Sequence, residues 1–124
     1  MNHFPVLIIM PILTPTANEL NRLRWARNWK AIKQMKKDYW NLLLLCGAHE
    51  GVYKAKPREK RRVTFYSFRP RLLDSDNLAG GFKYLRDTLE SMELIYRDSP
   101  RYLEASYKQE TGQPVRTEIL IEKI

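Results

Sequence analysis

The sequence predicts an α+β fold: a single domain in which a mixed β-sheet packs with helices, in the order strand, helix, strand, helix, strand, strand. Three observations carry that expectation. The chain has 124 residues, enough for one core. It contains no internal repeat, no low-complexity stretch and no linker long enough to separate two units. Its apolar residues also change period along the chain, running on or alternating where strands are expected and recurring at helical spacing where helices are.

The elements follow in order. Phe4 to Leu13 is an apolar run broken by Pro5 and Pro11 and reads as a buried first strand. It has no basic region before it and is too short to span a bilayer, so neither a signal peptide nor a transmembrane helix fits. Thr14 to Ala17 make a turn, and a long helix is expected from about Asn18 to Cys46, with Gly47 as its stop. Cys46 closes the apolar run Leu42 to Cys46 and is expected as a core thiol rather than a nucleophile. As the only cysteine it allows no internal disulfide and suits a reducing cytoplasm. Lys54 to Arg62, with Pro57 inside it, reads as a loop, and Arg62 to Phe68 and beyond as the second strand. Leu78, Phe82, Leu85, Leu89 and Met92 then form the buried stripe of a second helix capped by Asp76 or Asn77. Tyr102 to Lys108 and Val115 to Ile121 are the last strands, joined by a hairpin turn in ETGQP.

A net charge of +8 and a pI near 9.7 call for an acidic partner, nucleic acid before an anionic membrane. Two blocks hold the excess. Arg22, Arg24, Arg27, Lys30, Lys33, Lys36 and Lys37 crowd the first helix around Trp25 and Trp29 with no acid among them. Either the tryptophans are core anchors with lysines coating the outside, or this is a DNA-facing surface. The second block includes Arg58, Lys60, Arg61 and Arg62, which would flank a phosphate at the acids downstream, and Arg69 and Arg71 extend it.

Those acids lie in DSDNLAGGFKYLRDTL, Asp74 to Leu89. Asp74 and Asp76 sit two apart at the expected end of a strand, where i and i+2 point the same way. Two carboxylates about 4 Å apart repel by roughly 4 kcal/mol at an effective dielectric near 20, so the pair is tolerable when exposed, protonated or bridged by a cation. Mg²⁺ suits such hard oxygen ligands. On the helix that follows, Asp76, Gly80, Lys83 and Asp87 fall in one sector. That line is either a solvated Lys83–Asp87 pair worth a few tenths of a kcal/mol or a working face. Two glycines in a helix cost up to about 2 kcal/mol, and close approach of a substrate backbone would account for Gly80 and Gly81.

Other sites fail on specific residues. An EF-hand starting at Asp74 would need glycine and glutamate where Ala79 and Leu85 stand. No cysteine pair suits zinc, His3 and His49 are isolated, and no P-loop follows the glycines, so no nucleotide cofactor is expected.

Together these residues resemble the RusA-like Holliday junction resolvases, small homodimeric endonucleases of phages, prophages and bacteria. That family carries an Asp-x-Asp-Asn-Leu stretch entering a helix, a lysine and an aspartate on the helix, and a further aspartate after it. Asp74, Asp76, Asn77, Leu78, Lys83, Asp87 and Asp98 match in order, the likeness running from Arg69 to Ile124 and more weakly through LTPTANELNR, Leu13 to Arg22. Two departures are visible. Gly80 holds the family's usual lysine position, with Lys83 nearly one helical turn later, and Arg97 stands where relatives often have an acid.

The resemblance implies a Mg²⁺-dependent endodeoxyribonuclease, with Mn²⁺ able to substitute, that cleaves branched DNA such as Holliday junctions in recombination and repair. It implies a homodimer, phage or prophage encoded, in the cytoplasm of a bacterial host. Asp74, Asp76 and Asp98 would hold the metal, with Asp87 a further ligand or the residue that orients Lys83, and Lys83 would support charge in the transition state. Arg24, Arg27, Lys30, Arg58, Lys60, Arg61, Arg62, Arg69 and Arg71 are the DNA-contacting candidates. Two alternatives stay open: a non-catalytic basic DNA-binding module, and a nuclease for flaps, forks or packaging DNA.

Overall fold

The computed structural model describes residues 3–48 and 50–124, and the expectation for His49 lies outside the described residues. The chain runs through β1 (Val6–Met10), α1 (Ala17–Trp25), α2 (Trp29–Leu45), a 3₁₀ turn at Gly51–Tyr53, β2 (Arg61–Arg69), α3 (Ser75–Gly80), α4 (Lys83–Ser91), β3 (Leu103–Thr111) and β4 (Arg116–Lys123). The four strands make one mixed sheet in the order β1-β4-β2-β3, with β2 and β3 parallel and β4 antiparallel to both β1 and β2. This is the α+β class that the sequence predicts.

Strand alternation builds the core. Ile8, Ile119, Ile121, Val63 and Phe65 point to one face and are all buried. The helical stripe Leu78, Phe82, Leu85, Leu89 and Met92 is buried as well. Phe65, Phe82 and Tyr107 form the joint between sheet and helices, with ring centroids 4.7 to 5.5 Å apart, in the range where aromatic pairs attract. Leu7 and Ile9, on the other face of β1, are about half exposed.

Three expectations are corrected. The long first helix is two helices, because Ala26 caps α1 and Arg27 takes a left-handed conformation, φ 52°, with Asn28 N–H donating back to Leu23 O at 2.9 Å. That is a Schellman ending, and no glycine or proline marks it. The second helix is also two, since its ladder is interrupted at Gly81 and Phe82. Finally, ETGQP is not a hairpin. β3 and β4 flank β2, so residues 112–115 cross the end of β2 and span two strand spacings, about 10 Å. The turn residues reverse the chain, but burial chooses the neighbour, and Ile119 and Ile121 of β4 pair with Phe65 and Val63.

The Leu42 to Cys46 run is not all core either. Leu43 is fully buried, while Leu45 is 84% exposed and Cys46, the C-cap of α2, is exposed with its thiol 3.7 Å from Ile9 O. Gly47 does end the helix, at φ 73°.

Candidate functional site

Asp74 is the N-cap of α3, not the end of a strand, so the extended i, i+2 geometry does not hold; Asp76 already lies in the helix's first turn. The Asp74 carboxylate accepts from the Asn77 backbone N–H at 3.4 Å and from Asn77 Nδ2 at 2.9 Å. Asn77 Oδ1 in turn accepts from the Asn18 N–H at 3.1 Å, where α1 begins under its own cap, Thr16. Leu73 is fixed from the other side by both amide atoms of Gln109, at 2.9 and 2.6 Å. The Asp74 carboxylate is therefore held by Asn77, which is itself tied to α1, and the residue before it is tied to Gln109. Asp76 is exposed, and its carboxylate makes no ion pair or side-chain hydrogen bond among the described residues.

The paired glycines serve this same junction. A Cβ at Gly81 would lie 1.9 Å from Pro15 O, and one at Gly80 would lie 2.6 Å from Ala17 Cβ. The neighbour that requires their small size is the Pro15–Ala17 segment of the protein itself, which corrects the expectation of a substrate backbone. The stretches Leu13 to Arg22 and Asp74 to Leu89, far apart in sequence, thus interlock through Asn18–Asn77 and Pro15–Gly81.

The remaining acids have other partners. Asp98 pairs with Arg86 Nε at 3.2 Å, and its N–H donates to Glu90 Oε1 at 2.8 Å. Arg86 also donates to Ala79 O at 3.1 Å and to the Tyr107 hydroxyl at 2.8 Å. Burial pushes the Tyr107 phenol above its ordinary value, with Asp98 adding to the rise against the opposing pull of Arg86. This group borders a cleft of about 500 Å³ that Lys60, Ser99 and Glu104 also line. Arg86 reaches the last turn of α3 while Asp74 caps its first, roughly 8 Å apart along the axis at 1.5 Å per residue. Asp87 neither orients Lys83 nor faces the other acids: it pairs with Lys36 of α2 at 3.5 Å. Lys83, at the head of α4, is half-buried with its ammonium 5.9 Å from the Tyr84 ring centroid. The interruption at Gly81 and Phe82 removes the continuous helix on which Asp76, Gly80, Lys83 and Asp87 would share a line.

Among the described residues no three His, Cys, Asp or Glu side chains gather as metal ligands. Asp98 in particular, held by Arg86, does not join Asp74 and Asp76. Mg²⁺ often takes only one or two carboxylates, with waters and substrate phosphates completing its octahedron. Asp74 and Asp76 meet that smaller requirement in residue type.

The basic candidates divide. Arg61 is fully buried, its guanidinium pairing with Glu59 at 2.8 Å and donating to Leu94 O at 2.8 Å, Lys54 O at 3.1 Å and Tyr53 O, so it is no phosphate contact. Arg69 is only 7% exposed under the Thr14 carbonyl, bonded to Ser67 Oγ at 3.1 Å, and burial lowers its pKa, with Glu19 working the other way. Arg62 pairs with Glu104 at 3.2 Å. Arg58, Lys60 and Arg71 are exposed, as are Arg24, Arg27 and Lys30 on the first block. Trp25 and Trp29 there are 86% and 58% exposed, so they are not core anchors.

Sequence reasoning missed Arg86, Asn18 and Gln109. Arg86 stands beside Asp87 and reads as an ordinary surface cation; only partners from α3, β3 and the loop before β3 reveal it. Asn18 carried a signal, since it lies in the weaker of the two resembling stretches. No protein-family model matches this chain, and no curated protein matches it.

Proposed function

We propose that this protein is a nuclease for branched DNA in which Asp74 and Asp76 supply the acidic groups and Mg²⁺ is the cofactor. The observation that carries the reading is the Asn18–Asn77–Asp74 junction, which fixes one aspartate, while Asp76, exposed like Asp74, has no side-chain partner among the described residues in a chain of charge +8. A solvent-facing carboxylate beside a rigid one suits a site that shares a cation with a phosphate. Bound there, Mg²⁺ would supply Lewis-acid charge and an activated water. Asn77 keeps the Asp74 carboxylate from swinging away. Lys83, following the Gly81–Phe82 break, offers a cation for the negative charge that builds on phosphorus substituents during attack. A Holliday junction is the substrate of choice because its two scissile strands are related by a two-fold axis, matching a dimer with two sites. Leu7 and Ile9 leave an exposed apolar face on the edge strand β1, which supports self-association.

The second reading is a non-catalytic DNA-binding module. It is favoured by the pairing of Asp98 with Arg86 and of Asp87 with Lys36, which gives both acids structural work. Cleavage of a synthetic four-way junction beside matched linear duplex, with Mg²⁺ and with EDTA, separates the two. Under the nuclease reading Asp76→Asn abolishes cleavage and leaves junction binding intact, because asparagine keeps size and loses the charge. Cleavage at the parental rate by this variant overturns the site.

A further inference from the structure

We infer that the corner between α1 and α2 is a stacking platform for unpaired nucleotides, with Trp25 and Trp29 receiving base faces and Arg24, Arg27 and Lys30 holding the adjoining phosphates. This deepens the DNA-binding part of the reading above and is independent of Asp74 and Asp76.

Trp25 is the last residue of α1 and Trp29 the first of α2. At 86% and 58% exposure, two large rings stand out on either side of a turn, where a folded protein usually hides such rings. The turn is rigid. Arg27 N–H donates to Arg24 O and Asn28 N–H to Leu23 O, at 3.0 and 2.9 Å, while the Asn28 side chain caps α2 through the Ala31 N–H at 3.2 Å. Arg27 occupies the left-handed position that favours glycine, where α2 ends on Gly47. A strained, exposed arginine thus stands in the turn two residues from each tryptophan.

Electrostatics selects the occupant. No acid occurs from Leu20 to Lys37, and among the described residues none of Arg22, Arg24, Arg27, Lys30 and Lys33 forms an ion pair; Arg24 reaches only the Asn21 amide. Such a field calls for a polyanion. Duplex DNA offers phosphates but hides its base faces, whereas a single strand or the unpaired bases at a branch present both, and aromatic rings accept any base. An anionic membrane would need an apolar helix face to insert. Leu20 and Ile32, on either side of this corner, are buried in the core, and Leu23 packs partly buried against it.

The test uses the whole chain in EDTA, with oligothymidylate as the probe and tryptophan emission as the readout; Trp40, on the far part of α2, serves as internal reference. Quenching on titration, and a loss of roughly thirty-fold in single-strand affinity for Trp25→Ala/Trp29→Ala, the low end for two stacked bases, are expected. Trp25→Phe/Trp29→Phe should retain most of that affinity, and affinity for blunt duplex should change by less than about three-fold for either variant. Equal losses on duplex and single strand overturn the proposal, as do unchanged single-strand affinity, conversion of a dimer to a monomer by the alanine pair, or binding to anionic vesicles without quenching by the oligonucleotide. Both rings being exposed, unfolding is not expected, and circular dichroism checks it. Because no cleavage is measured, failure here leaves the nuclease site standing, and failure of the nuclease leaves this platform standing.

Discussion

Two basic blocks look alike in the sequence and are used differently in the fold. Half of the cations from Lys54 to Arg62 are paired with the protein's own acids: Lys54 meets Glu93 at 3.0 Å, Arg61 meets Glu59, and Arg62 meets Glu104. Among the described residues, the block on α1 and the start of α2 meets no carboxylate until Lys36. Density of positive charge along a chain therefore does not identify a phosphate-binding surface; the discriminating quantity is how much of that charge the fold has already spent on its own acids. Arg61 is the extreme case. Its planar fork ties the start of β2 to the 53–54 backbone and to Leu94, a role that buries the charge completely.

The contrast is broken most directly by Arg61→Ala. It leaves Glu59 and three carbonyls without their donor in a buried place, and is expected to cost about 3–5 kcal/mol in urea unfolding. The salt dependence of DNA binding by the folded fraction should stay parental. A shift in that slope with little loss of stability would reverse the assignment of the two blocks. Joint replacement of Arg24, Arg27 and Lys30 by glutamine is the mirror experiment. The log–log salt slope is expected to fall by about two to three as counterion release is lost, while each exposed site changes stability by no more than about 0.5 kcal/mol.

The smallest expected effect lies in acid. Burial acts to raise the Glu59 carboxyl, but hydrogen bonds from the Lys56 N–H and from Arg61, and the charges of Arg61 and Lys123, outweigh it and hold the group below its ordinary 4.5. A carboxyl depressed by folding lends stability that is complete above its unfolded value and drains away as pH falls through its folded one. Glu59→Gln should flatten the loss of stability between about pH 5 and pH 3, with urea midpoints across that window as the measure. An unaltered acid limb would mean that Glu59 carries no weight in the Arg61 latch.

How far the sequence could be read follows from how local each signal is. Leu78, Phe82, Leu85, Leu89 and Met92 were legible because helical periodicity is written in neighbouring residues, and Gly47 because a left-handed C-terminal residue is normally glycine. Arg27 adopts that conformation without being glycine, so the α1–α2 break was invisible. Gly80 and Gly81 were conspicuous, yet their reason, the Pro15 carbonyl, lies more than sixty positions away. At the candidate site the spacing of Asp74 and Asp76 was readable, whereas the choice of Arg86 as the companion of Asp98 depends on where the loop before β3 passes α4 and was not.

The sheet order has a kinetic side. β1 touches the rest of the sheet only through β4, Val6 pairing with Ile121, and β4 also completes the flank of β2. The pairing that unites the sheet thus closes a loop of more than a hundred residues, the kind of non-local contact that slows folding. Until it closes, β1 is a five-residue apolar segment, VLIIM, with no partner on either side. In that interval Leu7 to Met10 is the stretch of this chain most exposed to mispairing with another copy, and refolding yield should depend on protein concentration for that reason.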